Sequence, residues 1–174
     1  TIRPELIELL RTKRKKLTHN VSAEKLDALH AKGLLSARER LDALFVEGSF
    51  QEFGLHASHA NTHFGMAHKV LPADGVIAGS GYVGNMQVAS FSQDFSVVAG
   101  TLGKMQARKI TRIMRHALKT GVPVVAFKDS GGARIQEGVD ALSGYGDVFY
   151  TNVLLSGVVP QIAVICGPCA GGAA

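Results

Sequence analysis

The sequence predicts an α/β protein built on a parallel sheet, and three observations predict it. A strand, turn and helix order recurs along the second half of the chain, with strands ending at Phe91, Phe127 and Cys166. Hydrophobic residues make up 46% of the 174 positions and glycines number 20, which suits a compact α/β domain and excludes disorder. Two Gly-Gly turns, Lys128-Asp129-Ser130-Gly131-Gly132-Ala133-Arg134 and Gly167-Pro168-Cys169-Ala170-Gly171-Gly172-Ala173, each follow an apolar run that reads as a buried strand.

Residues 2 to 45 read as helices, with Leu6, Leu9 and Leu10 and then Leu26 and Leu29 at helical spacing. Ser36-Ala37-Arg38-Glu39 is a capping-box pattern, and Leu41, Leu44 and Phe45 form the apolar face behind it. Gly33 and Glu47-Gly48-Ser49 separate the pieces, so residues 1–48 are expected to form a helical arm that packs on something. Residues 50 to 75 read as loop. Val76 to Tyr82 and Met86 to Phe91 read as strands joined through Gly84-Asn85, a hairpin signal. Helix follows from about 101 to 119, strand from Val122 to Phe127, helix from about 138 to 155, and strand from Gln161 to Cys166. The strand ends are 36 and 39 residues apart, which implies parallel strands with their turns stacked on one edge. Ligands sit at the carboxyl ends of such strands.

Several functions are disfavoured. No apolar stretch is long enough to span a membrane, and the N-terminus is too charged for a signal peptide. Cys166 and Cys169 have C-x-x-C spacing, but Cys166 reads as buried, Pro168 intervenes and no second pair completes a zinc site. The usage fits a reducing, cytoplasmic compartment. His56, His59, His63 and His68 lack a carboxylate or cysteine at ligand spacing, so they read as polar loop residues and no metal is expected. The net charge of +5 is concentrated in Arg11, Lys13, Arg14, Lys15 and Lys16, and in Lys104, Arg108, Arg112, Arg115 and Lys119, which line one helix face. That face reads as a solvated surface, or else as a seat for a phosphate-bearing ligand or an acidic partner. Without aromatic platforms or a base-reading motif, nucleic acid is not indicated. Gly79-Ser80-Gly81-Tyr82-Val83-Gly84 matches G-x-G-x-x-G but opens no helix, so a dinucleotide site is not expected.

The glycine turns carry the chemistry. A Gly-Gly pair between strand and helix can aim two backbone N–H groups at one oxygen, holding an oxyanion without a charged side chain. Two such turns in successive units would converge on one crevice. There is no phosphate loop and no nucleophile elbow, and Ser130 has no evident His partner. The pattern therefore points to stabilisation of an enolate or another oxyanion with no protein nucleophile.

These motifs resemble the carboxyltransferase subunits of biotin-dependent acyl-CoA carboxylases. The resemblance rests on residues 129–138, on Phe91-Ser92-Gln93-Asp94-Phe95, on residues 156–162 and on residues 167–173, with Ala37-Arg38-Glu39-Arg40-Leu41 and Phe64-Gly65-Met66 upstream. It covers roughly residues 30 to 174 and is closest to the branch of propionyl-CoA carboxylase β chains, transcarboxylase large subunits and methylmalonyl-CoA decarboxylases. Residues 133–138 depart from the methylcrotonoyl- and glutaconyl-CoA branches, and the four-cysteine zinc ribbon of the bacterial acetyl-CoA β subunit is missing.

The resemblance implies a crotonase-like (ClpP/crotonase) spiral of ββα units and a hexamer. Residues 49–174 would be the acyl-CoA-binding N domain, incomplete at its end, with the carboxybiotin domain absent. It implies that Gly171 and Gly172 hold the thioester enolate oxygen. Ser130, Gly131, Gly132, Ala133 and Ala170 would bind substrate, as would Arg134, for which an ion pair near the turn is the alternative. The reaction implied is CO2 transfer between biotin, on a carrier protein with a possible biotin carboxylase partner, and the α-carbon of propionyl-, methylmalonyl- or acetyl-CoA. Orientation and oxyanion stabilisation would do the catalytic work, each donor being worth roughly 3 kcal/mol. The 174 residues alone are expected to be inactive. The alternatives are a non-catalytic CoA-binding or assembly module, and a crotonase-type hydratase or isomerase with Glu137 as the nearest candidate base.

Overall fold

A computed structural model describes residues 3–19 and 21–174. Three helices come first, α1 (Pro4–Thr18), α2 (Ala23–His30) and α3 (Ala37–Leu44). They are followed by β1 (Gln51–Phe53), β2 (Val76–Val83), β3 (Met86–Gln93), α4 (Lys104–Thr120), β4 (Val124–Ser130), α5 (Val139–Leu155) and β5 (Gln161–Cys169). The five strands form one sheet in chain order. β1, β2 and β3 pair antiparallel, whereas β3, β4 and β5 pair parallel. The parallel half is the expected one, and Gly84-Asn85 makes the expected hairpin, with Val83 opposite Met86. Only the first repeat carries a strand pair before its helix; a short parallel bridge between Leu102 and Ala133 lies outside the sheet. Among the described residues no helix is long and apolar enough to cross a membrane.

Side-chain alternation explains the layers. Val76, Ala78, Ala89, Phe91, Val124 and Ala126 point to one face and pack on Ile110, Ile113, Met114 and Ala117 of α4 and on Tyr145 and Leu155 of α5. The intervening Ile77, Val88 and Val125 point the other way and pack on Ala37, Leu41 and Phe45. The capping box is formed: Ser36 Oγ accepts from the Glu39 amide, and the Glu39 carboxylate accepts from the Ser36 amide at 2.8 Å. That backbone bond holds the Glu39 carboxyl below its usual pKa. The third helix of the arm is thus fixed to the sheet, whereas α1 has no buried residue.

Two expectations fail. β1 lies in the stretch read as loop, because three residues are too few to show a period. It crosses β2 closely: a Cβ on Gly79 would sit 2.2 Å from the Gln51 carbonyl oxygen and 2.7 Å from the Phe50 ring. Gly79 of the G-x-G-x-x-G pattern therefore serves strand packing. The second failure is β5, for which the apolar run predicts a buried strand with a buried Cys166. Ile162 and Ile165 are 51% and 58% exposed, and Cys166 is half-buried. An apolar run reports the capacity for burial, and β5 is the edge of the sheet among the described residues.

α4 buries one cation. Lys109 donates to the carbonyls of Ala73, at 2.8 Å, and Val76. Burial pushes its pKa from the usual 10.5 down to about 8, against the pull of Glu52 and Asp74. The folded chain then loses this proton before the unfolded chain does, so stability rises with pH between about 8 and 10.5. Unfolding free energies measured across that window will show the rise, and Lys109→Met will remove it. An unchanged pH slope in the variant would contradict this account.

Candidate functional site

The two glycine turns lie side by side at the carboxyl edge of the sheet. β4 runs three residues past Phe127 and delivers Ser130, while β5 runs three past Cys166 and delivers Cys169. The Ala170 amide donates to the Ser130 carbonyl at 3.1 Å. Gly132 has φ +99°, and a Cβ there would come within 3.2 Å of the Ala170 carbonyl oxygen. A side chain at Gly132 would both strain the backbone and push the turns apart.

The turns differ in what their amides do. The Gly131 N–H donates to the Ala99 carbonyl at 2.8 Å, and the Gly132 N–H donates to Ser130 Oγ at 3.1 Å. The Arg134 N–H donates to Leu102 at 3.0 Å. Only the Ala133 amide of that turn has no acceptor among the described residues. In the second turn the Gly171 and Gly172 amides both lack acceptors among the described residues and open a short 3₁₀ turn closed by Ala173 N–H to Ala170 C=O at 3.2 Å. The two turns are therefore unlike in the amides they leave free. Gly131 and Gly132 spend their amides internally, and among the described residues Ala133, Gly171 and Gly172 keep theirs unspent.

The strand that feeds the first turn is clamped from both sides. Val98, Ala99 and Gly100 have φ of 47°, 52° and 61°, a left-handed run that costs energy at the two non-glycine positions. It brings Ala99 to Gly131 and seats Gly100 where a Cβ would be 2.1 Å from the Asp129 carbonyl oxygen. Across the sheet, Arg40 of α3 pairs with Asp129 at 2.7 Å, both side chains being 8% exposed.

Of the two readings of Arg134, the ion pair is the one that forms in this structure. Its side chain is fully buried and pairs with Asp74 at 2.6 Å and Glu137 at 2.8 Å. It also donates to the Thr101 carbonyl at 2.9 Å. Asp74 in turn accepts from the Gln106 amide at 2.8 Å, and burial raises its pKa while Arg134 opposes the rise. Asp74 itself has φ 54°, so a strained loop is pinned by this pair. Glu137 is equally committed: it accepts from Arg134 and, at 2.7 Å, from the Lys104 amide.

The second turn rests on aromatic rings. A Cβ on Gly172 would meet Tyr145 Cδ1 at 2.8 Å and Phe149 Cζ at 2.9 Å. Gly171, with φ +58°, faces open space. Cys169 donates its thiol to the Ala173 carbonyl at 2.9 Å, so one cysteine of the C-x-x-C pair is a turn clasp.

Beyond the first turn lies a cleft of about 560 Å³ lined by His63, Phe64, Lys104, Arg108, Glu137 and Asp140 among others. It takes two members of the basic helix face, which is exposed as expected at Lys104, Arg108, Arg112, Arg115 and Lys119. Lys104 pairs with Asp140 at 2.6 Å, and Arg112 stacks over Phe53. Of the four histidines, His59 bonds the Lys69 carbonyl at 2.8 Å. Among the described residues, no group of three or more His, Cys, Asp or Glu side chains could hold a metal ion.

Residues 28–174 match the carboxyl transferase domain. The chain belongs to that family. Carboxyl transferase relatives include the methylmalonyl-CoA decarboxylase subunit alpha of Propionigenium modestum, 52% identical over 96% of this chain and 32% of the relative. The mitochondrial propionyl-CoA carboxylase beta chain of Homo sapiens is 46% identical over 95% of this chain and 31% of its own length. A crystal structure of transcarboxylase 12S, a hexamer with methylmalonyl-coenzyme A and methylmalonic acid bound, superimposes with a TM-score of 0.94 at 47% identity, over 99% of this chain and 34% of that one. The chain thus has the crotonase-like α/β fold of these carboxyltransferases and spans about a third of the length of the relatives it matches.

The sequence alone points to none of Asp74, Gln106 and Tyr145, and to Arg40 only as part of a motif with no role attached. Each supports a turn from a distant element, and single residues far apart in the chain carry no periodic signal.

Proposed function

We propose that this chain is the acyl-CoA-binding part of a carboxyltransferase that moves a carboxyl group between biotin and the α-carbon of propionyl-, methylmalonyl- or acetyl-CoA. The observation that carries the reading is the pair of acceptor-free amides at Gly171 and Gly172, one hydrogen-bonded step from the Ser130 turn. Removing a carboxyl group from, or adding one to, the α-carbon of a thioester passes through an enolate, whose charge sits on the thioester oxygen. Preorganised backbone donors stabilise that charge without reorganising. The first turn, with its Gly131 and Gly132 amides spent, forms a rigid wall at Ser130–Ala133 for the acyl group, and Ala170 completes the floor between the turns. The methylmalonyl-coenzyme A bound in the 12S structure supports the substrate class.

Biotin supplies the carboxyl carrier, and no residue of this chain is assigned to it. The carrier domain, a biotin carboxylase subunit and a hexameric assembly like that of 12S complete the reading, in a cytoplasmic setting consistent with two free cysteines. The test uses the full-length protein that contains this chain. Incubated with methylmalonyl-CoA and biocytin, it should form propionyl-CoA and carboxylated biocytin in equal amounts. Folded protein that gives no biocytin-dependent propionyl-CoA would overturn the proposal.

A further inference from the structure

Tyr145 sits in the helix that joins the two turns and touches both. It is 6% exposed. Its ring lies under Gly172, where a Cβ would be 2.8 Å from Cδ1 and 3.0 Å from Cε1, and it packs on Phe149 with ring centroids 5.8 Å apart. Its hydroxyl is buried beside the Ser130 hydroxyl and beside Cys169; among the described residues no partner meets it at full hydrogen-bond geometry. Burial raises its pKa, against the hydrogen-bonding pull of the Ser130 hydroxyl, which lowers it, so it stays a neutral phenol with a proton to donate. Ser130 Oγ already accepts from Gly132, and Cys169 Sγ closes the second turn on Ala173. Packing under Gly172 needs only the ring. A phenylalanine would supply it without burying a hydroxyl short of a full hydrogen bond, and buried polar groups are normally paired.

We infer that Tyr145 is a positioning residue for the thioester oxygen. Its ring sets the height of the Gly171 and Gly172 amides, and its hydroxyl donates to Ser130 Oγ once the acyl group is seated, locking the two turns together. The inference rests on the functional reading above.

The test compares Tyr145→Phe and Tyr145→Leu in the full-length protein. Tyr145→Phe should melt like the unmutated protein, keep its KM for methylmalonyl-CoA and lose about three- to tenfold in kcat, the worth of one neutral hydrogen bond. Tyr145→Leu should lose on the order of 100-fold in kcat, as misplaced reacting groups do. It should also speed amide hydrogen exchange in the peptide covering 167–174. Unchanged kcat in Tyr145→Phe would overturn the hydroxyl's role, as would a fall in kcat that only tracks a fall in melting temperature. Unchanged exchange in Tyr145→Leu would overturn the ring's role. That last measurement needs no turnover, so it separates failure of this inference from failure of the carboxyltransferase reading, which is judged on the unmutated protein.

Discussion

Gly172→Val in the full-length protein should cut kcat for carboxyl transfer about 10²- to 10³-fold, the effect of losing one oxyanion donor, while acyl-CoA still binds. The position has no room. A Cβ would sit 2.8 to 3.0 Å from the Tyr145 and Phe149 rings, both held in helix α5, so the turn must lift. Lifting re-aims the Gly172 amide, which contributes more to the enolate than to the ground-state thioester. Such a change lowers kcat more than affinity. Gly171→Ala is the informative comparison. Nothing lies within 4 Å of its Cβ, and only the positive φ is strained, so the loss should be smaller, about 1–3 kcal/mol at most. Steady-state kinetics with a separate CoA-binding measurement checks both. Equal damage at the two positions would mean that backbone strain governs the turn instead of the ring platform. An unaffected rate in Gly172→Val would favour a non-catalytic module.

Arg134→Met should destabilise the fold by about 3–5 kcal/mol without a specific loss of substrate affinity. The guanidinium is fully buried between Asp74 and Glu137, and its removal leaves two carboxylates without their cation. Asp74 then keeps the Gln106 amide as a direct donor and the nearby Lys109 charge, in a loop whose left-handed backbone is already strained. Denaturant unfolding of the full-length variant reads the loss, and Asp74→Asn should show much of the same effect because it breaks the same pair. A variant that keeps its stability yet loses affinity for acyl-CoA would point to Arg134 as a ligand.

Much of this was legible in the sequence, for physical reasons that also mark where reading stops. The apolar runs at Val76–Tyr82 and Val122–Phe127, the hairpin signal at Gly84 and the capping box at Ser36 are local, and each forms, with the second strand displaced to Val124–Ser130. The adjacency of the two glycine turns followed from the repeat, because equal strand-helix steps bring parallel strand ends to one edge. What the repeat could not show is that the turns are unequal. That difference depends on Ala99 and the Ser130 hydroxyl, which consume the amides of Gly131 and Gly132. The same holds for Arg134, a motif residue that looks like a ligand by its place beside a glycine turn but answers a carboxylate 60 residues earlier. β5 misled in the other direction: its Ile162 and Ile165 are as apolar as any core strand, and nothing among the described residues covers them.

The central claim is that the second turn, and not the first, holds the thioester oxygen. A crystal structure of the full-length protein with a non-reactive acyl-CoA analogue carrying an enolate-like oxygen tests it directly. The account predicts that oxygen about 2.7–3.1 Å from the Gly171 or Gly172 amide nitrogen, with Gly131 still bonded to Ala99 and Gly132 to Ser130. An oxygen bound instead by freed Gly131 and Gly132 amides, or lying beyond reach of Gly171 and Gly172, would contradict it.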